Sequence, residues 1–80
     1  MEIREVFALN LRKIRQTRGL SQEELAHRAE IDRTYISALE RTVYAASIDV
    51  VGRLAAVLEV EPAELLILPS QRGPTKRKDA

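Results

Sequence analysis

Only three residues, Glu30, Ile31 and Asp32, separate two short segments that carry the signatures of helices. Ser21 followed by Glu24 is a capping box: the serine oxygen accepts from the Glu24 amide, and the Glu24 carboxylate returns to the serine amide. The helix it opens, over 22–29, turns Leu25, Ala26 and Ala29 inward, and the two alanines let another helix approach closely. Asp32 is the next N-cap and opens a helix over roughly 33–41, with Ile36 and Leu39 inward. A linker this short keeps the two helices from lying side by side, so they must cross steeply. The second helix begins with Arg33, Thr34, Tyr35 and Ser37. Together these offer donors, acceptors and an aromatic face at a helix N-terminus, a combination suited to the base edges of duplex DNA.

The rest of the chain fits around this pair. Ile3, Val6, Phe7, Leu11 and Ile14 recur at spacings of three and four, a helical stripe, with Arg4, Glu5, Arg12, Lys13, Arg15 and Arg18 on the opposite face. Gly19 is placed to end this helix in a left-handed conformation, and Leu20 packs back. Residues 42–46 form a loop, after which Ser47 caps a fourth helix with the stripe Ile48, Val51, Leu54, Ala55 and Leu58. Val50, Leu54 and Val57 widen its apolar face. Glu61-Pro62 starts a short fifth helix that contains Leu65, Leu66, Ile67 and Leu68 and stops at Pro69. No strand alternation, internal repeat or low-complexity block is apparent. The expected fold is therefore all-α with five helices: one domain over 1–68 and a basic, disordered tail over 69–80.

Eighty residues make one small domain with a modest core. With no cysteine there is neither a disulfide framework nor a thiolate metal site, which fits the cytoplasm. No apolar run approaches the ~18 residues of a membrane span, and the N-terminus lacks the order of a signal peptide. The net charge of +1 says little, but its distribution is uneven. Residues 42–68 carry −3, and residues 69–80, with Arg72, Lys76, Arg77 and Lys78 against Asp79, carry +3. Contact with DNA must therefore rest on placed residues rather than on bulk attraction.

The phrases Leu20-Ser21-Gln22-Glu23-Glu24-Leu25-Ala26, then Ile31-Asp32-Arg33-Thr34-Tyr35-Ile36-Ser37-Ala38-Leu39-Glu40-Arg41, then Leu54-Ala55-Ala56-Val57-Leu58-Glu59-Val60, resemble the lambda-repressor-like (Xre-type) helix-turn-helix family over about residues 5–68. Within it, Asp-Arg-Thr-Tyr-Ile-Ser followed by Leu-Glu-Arg is similar to the controller proteins of restriction–modification systems. The resemblance implies that helix 33–41 lies in the major groove with its first residues on base edges, while the preceding helix crosses the backbone. It sets Arg33, Thr34, Tyr35 and Ser37 on reading positions and Gln22 on the family's phosphate-contacting glutamine. Arg41 and the loop with Tyr44 fall where backbone contacts occur. Arg15 and Glu40 match positions that often pair and would tie the first helix to the reading helix. Two positions depart from the pattern: Glu30 and Thr42 stand where the family often has glycine, and the loop 42–46 lacks the usual basic residues.

The chemistry of these residues agrees. Arg33 can donate two bonds to guanine O6 and N7, worth roughly 1–3 kcal/mol in discrimination. Thr34 offers a hydroxyl and a methyl, the latter suited to a thymine methyl. The Tyr35 ring can lie against sugar or thymine, or pack partly on the core. Gln22 at a helix start can present its amide to a phosphate, or simply support the helix. His27, alone of its kind, reads as a surface residue, and Glu23 and Glu24 serve the helix start rather than acid–base catalysis.

A single short reading helix covers only a few base pairs, so a homodimer is expected. Leu65, Leu66, Ile67 and Leu68 exceed what one face of a short helix can bury alone, and Val50, Val57 and Val60 can join them. Gly52 inside the fourth helix suits a partner's close approach or simple exposure. The expected function is that of a sequence-specific transcriptional regulator on double-stranded DNA. It would bind a palindromic operator with no cofactor, metal, membrane or small-molecule substrate. The alternatives are an antitoxin-type DNA-binding protein and a helical protein-interaction module without DNA binding. An enzyme has no support: there is no phosphate-binding glycine loop, nucleophile–base arrangement or ligand cluster.

Overall fold

The computed structural model describes residues 1–68. Four α-helices, α1 (Ile3–Thr17), α2 (Gln22–Ala29), α3 (Arg33–Glu40) and α4 (Ile48–Leu58), are followed by a 3-10 helix, Pro62–Leu66. The described residues contain no strand. The expected tail over 69–80 lies outside the described residues.

The N-caps expected from sequence are all present. Ser21 Oγ accepts from the Glu24 amide at 3.0 Å, and the Glu24 carboxylate accepts from the Ser21 amide at 3.0 Å. Asp32 caps α3 and Ser47 caps α4. At the other ends, α1 to α4 close alike. Gly19, Glu30, Thr42 and Glu59 adopt left-handed conformations with φ of 73, 59, 63 and 61°. In each case the next amide, of Leu20, Ile31, Val43 or Val60, reaches back five residues to a helix carbonyl at 2.8–3.1 Å. This is the Schellman arrangement, in which a left-handed residue frees the chain to turn while satisfying the last carbonyls. Only one of the four corners uses glycine; at the others a Cβ sits in a conformation that costs about 1–2 kcal/mol for an L-residue.

The core is drawn from every element. Phe7 and Leu11 of α1, Leu25, Ala26 and Ala29 of α2, Ile36 and Leu39 of α3, and Leu54, Ala55 and Leu58 of α4 meet around Leu65. Ile3 and Ile48 fall outside it despite fitting the stripes. Each begins its helix and projects past the neighbouring helices, and Ile48 is 89% exposed. Arg15 leaves the solvent face expected for it and is buried. Arg18 also turns inward: its guanidinium donates to the carbonyls of Leu58, at 2.8 Å, and Glu59, at 3.3 Å, at the end of α4.

The last element differs from the fifth α-helix expected. It is a tight 3-10 turn that ends at Leu66, and Ile67 is extended. Buried Asn10 of α1 explains the change. Its amide nitrogen donates to the carbonyls of Leu65, at 3.1 Å, and Ile67, at 2.8 Å. These carbonyls are thereby satisfied by a side chain of α1. Pro69 adds a second brake, because the residue before proline avoids the helical region.

Candidate nucleic-acid interface

The reading surface is built on α3. The Asp32 carboxylate accepts from the Thr34 amide at 2.9 Å and from the Thr34 hydroxyl at 2.8 Å, fixing the first turn. Arg33 and Thr34 are exposed there, while Ile36, Ala38 and Leu39 are buried on the opposite side. The helix therefore offers a polar leading turn to solvent and an apolar rear to the core. Bonds from Thr34 hold the Asp32 carboxyl below its ordinary range, backbone amide first and hydroxyl second, and Arg33 adds to the effect. The Ser21 amide does the same for Glu24.

The far end of α3 is anchored by charge. Arg15 Nε donates to Glu40 Oε2 at 2.6 Å, one terminal nitrogen donates to Oε1 at 3.0 Å, and the other donates to the Leu20 carbonyl at 2.8 Å. The Glu40 side chain is only 4% exposed. A buried ion pair of this kind adds little net stability, but removing one partner leaves the other desolvated and unpaired. Gln22 completes the arrangement by donating from Nε2 to Glu40 Oε1 at 3.0 Å. A carboxamide nitrogen carries two protons, so Gln22 keeps one for a further partner. The pairing of Arg15 with Glu40 was expected from the resemblance; the attachment of Gln22 was not.

Four of the expected site residues, Thr34, Tyr35, Arg41 and Tyr44, line one shallow hollow together with Asp32 and Val43. The Tyr35 and Tyr44 rings lie 6.1 Å apart, tilted by 37°. The Tyr35 hydroxyl donates to the Ala45 carbonyl at 3.4 Å, and the ring also packs against the core, so Tyr35 serves both readings given to it. Tyr44 is 57% exposed. The left-handed turn at Thr42 folds the loop back onto α3 and brings Tyr44 beside Tyr35. Ser37 is half-buried, and its hydroxyl accepts from Arg41 Nε at 3.4 Å. Gln22 and Arg33 lie outside the hollow. The residue that sequence reasoning passed over is Asp32 as a neighbour of the Thr34 hydroxyl. The two-residue spacing between a cap aspartate and a threonine was its available signal.

The residues expected to bury against a second copy divide. Leu65 is fully buried in the chain's own core, a correction, because the Asn10 bonds fold it inward. Val50, Val57, Val60, Ile67 and Leu68 are half-buried, and Leu66 is 41% exposed. Gly52 has open space where a Cβ would stand. Among the described residues no group of three or more His, Cys, Asp and Glu side chains could hold a metal ion. No described helix is long and apolar enough to cross a membrane.

Comparison with known proteins places this geometry. The hypothetical transcription factor NHTF from Neisseria has a crystal structure similar to this chain, with a TM-score of 0.86 and 41% identity, covering 89% of this chain and 82% of that one. The control protein C.BamHI of Bacillus amyloliquefaciens is 38% identical over 65 residues, 80% of each chain. The restriction–modification controller protein C.Esp1396I has been solved as a tetramer in complex with its natural 35 base-pair operator. It matches with a TM-score of 0.74 and 31% identity, over 81% of this chain and 86% of that one. The helix-turn-helix family model covers residues 11–65, from within α1 to Leu65. The chain belongs to the helix-turn-helix family.

Proposed function

We propose that this chain is a sequence-specific DNA-binding regulator of transcription, cytoplasmic and without catalytic activity, that grips a palindromic operator as a homodimer. The observation that carries the reading is the polarity of α3: an exposed leading turn with Arg33 and Thr34, and a rear fixed by Ile36, Leu39 and the buried Glu40 carboxylate. A helix held this way enters a major groove with little rearrangement. Arg33, Thr34, Tyr35 and Ser37 read base edges, while Gln22, Arg41 and Tyr44 hold the backbone. Val50, Val57, Val60, Leu66, Ile67 and Leu68 form the contact with the second copy. The likeness to C.BamHI and C.Esp1396I supports a narrower reading, control of a restriction–modification system.

Selection of bound duplexes from a random pool tests this, and a symmetric half-site motif is the expected result. Arg33→Ala should flatten base preference at one position per half-site. Gln22→Ala should weaken all sites alike. For the unmodified protein, affinity should fall linearly in log salt. A pool that yields no motif, or binding indifferent to Arg33→Ala, would sink the reading.

A further inference from the structure

The Thr34 hydroxyl has a fixed polarity. Its oxygen lies 2.8 Å from Asp32 Oδ1. An ionised carboxylate carries no proton, so the threonine must donate and the carboxylate accept. The same Oδ1 also takes the Thr34 amide at 2.9 Å. Both bonds belong to the cap that starts α3, so turning the hydroxyl away strips the carboxylate of one of its two donors. With its proton engaged, the hydroxyl offers an incoming base only lone pairs. The second carboxylate oxygen of Asp32 is likewise an acceptor. Asp32 and Thr34 line the same hollow as Tyr35, Arg41 and Tyr44, so this acceptor-only pair is part of the surface proposed above to face DNA.

We propose that Asp32 is a specificity-determining residue that acts through Thr34, making the pair select a base with an amino group in the major groove. The inference rests on the DNA-reading function proposed above. In that groove cytosine presents its N4 amino group and adenine its N6 amino group, whereas guanine O6 and thymine O4 are acceptors. Each base pair has one amino base, so the pair reads which strand carries it. At one position of the half-site the strand facing Thr34 holds cytosine or adenine. Guanine and thymine are rejected there because acceptor would face acceptor, beside a carboxylate. Arg33, one residue earlier, is donor-only, so adjacent residues of one turn carry opposite requirements.

The test compares the full chain with Thr34→Val and Asp32→Asn, first by selection from a random duplex pool and then by titration of half-site variants. Valine keeps the shape and the methyl group and leaves the Asp32–amide cap in place. Asparagine keeps an N-cap but brings a donor where the carboxylate stood. Melting curves establish that both variants fold. The unmodified protein should prefer cytosine or adenine by about fivefold or more at one position, the order of one hydrogen bond. Thr34→Val should erase that preference there alone, and Asp32→Asn should weaken or invert it. A preference for guanine or thymine at the position that Thr34→Val relaxes would overturn the inference. So would Thr34→Val relaxing no position while the rest of the motif persists; in both cases the DNA-reading function still stands. If the unmodified protein selects no motif at all, that function falls, and this inference falls with it.

Discussion

Leu25, Ala26, Ala29, Glu30, Ile31 and Asp32 hold in the first half of the molecule the places that Leu54, Ala55, Leu58, Glu59, Val60 and Glu61 hold in the second. In both stretches the leucine and the small residue after it are buried, as is the residue that precedes the corner. Glu30 and Glu59 share one backbone conformation, with φ and ψ of 59 and 45° against 61 and 44°. Ile31 and Val60 return the same bond, to Ala26 at 2.9 Å and to Ala55 at 3.0 Å. Beyond the corner the two part. Asp32, with its short side chain, caps an eight-residue α-helix whose first turn is polar and exposed. Glu61, one methylene longer, closes a box with Glu64 and leads through Pro62 into a five-residue 3-10 turn that drives Leu65 into the core. The corner itself is therefore neutral machinery. What the chain places just after it decides whether a segment faces outward or packs in.

The largest test of this contrast sits at the inward end. Leu65→Ala should lower stability by about 2–5 kcal/mol, the range for a buried leucine. Leu66→Ala should leave the monomer nearly unchanged and weaken self-association. Chemical denaturation and sedimentation across a dilution series separate the two. If both substitutions act alike, the division between a core leucine and a surface one is wrong.

A smaller effect is expected at the corners. Glycine at position 30 or 59 relieves the left-handed Cβ and removes an anion from the negative end of a helix. It also adds freedom to the unfolded chain, which offsets part of the gain. Glu30→Gly and Glu59→Gly should each raise the melting temperature, by an equivalent of about 0.5–1 kcal/mol, and Glu30→Gly should leave DNA binding intact. Equal gains would establish the corners as interchangeable. A gain at one and a loss at the other would break the comparison.

The smallest effect concerns acid. Asp32 and Glu24 have carboxyls lowered in the folded chain. The stabilisation they give is thus present above the ordinary carboxylate range and is lost as pH falls through the folded values. At neutral pH, Asp32→Asn should shift the melting temperature only slightly. Below about pH 4, the unmodified protein should lose stability that the variant keeps. Melting curves over a pH series measure this, and parallel curves for the two proteins would argue against an ionised cap.

Much of the fold was legible because helix starts are local chemistry. Ser21 with Glu24, Asp32 and Ser47 sit a few residues from the amides they satisfy, and Gly19 marks its own corner. The exposed reading turn was legible for the same reason. Long-range choices were not. Nothing near Asn10 says that its amide will take two carbonyls more than fifty residues away, yet that choice converts the last helix to a 3-10 turn. Nor does a run of four apolar residues announce which one enters the core. Periodicity counted Ile3 and Ile48 as inward because it cannot see where a helix outruns its neighbours. The likeness between residues 25–32 and 54–61 also escaped notice. It spans less than a repeat unit, and the segments that follow it share no further pattern.

Asn10 and Arg15 stand five positions apart on the same rigid rod, α1. One grips the C-terminal segment that leads to the proposed twin, and the other clamps the end of α3. The rise between them is about 7.5 Å. If the twin docks as proposed, α1 is the spar that sets how far apart two half-sites must lie. A substitution that bends α1 between these residues would then spoil binding to the natural operator without touching DNA or partner. Moving the half-sites by a base pair would restore it.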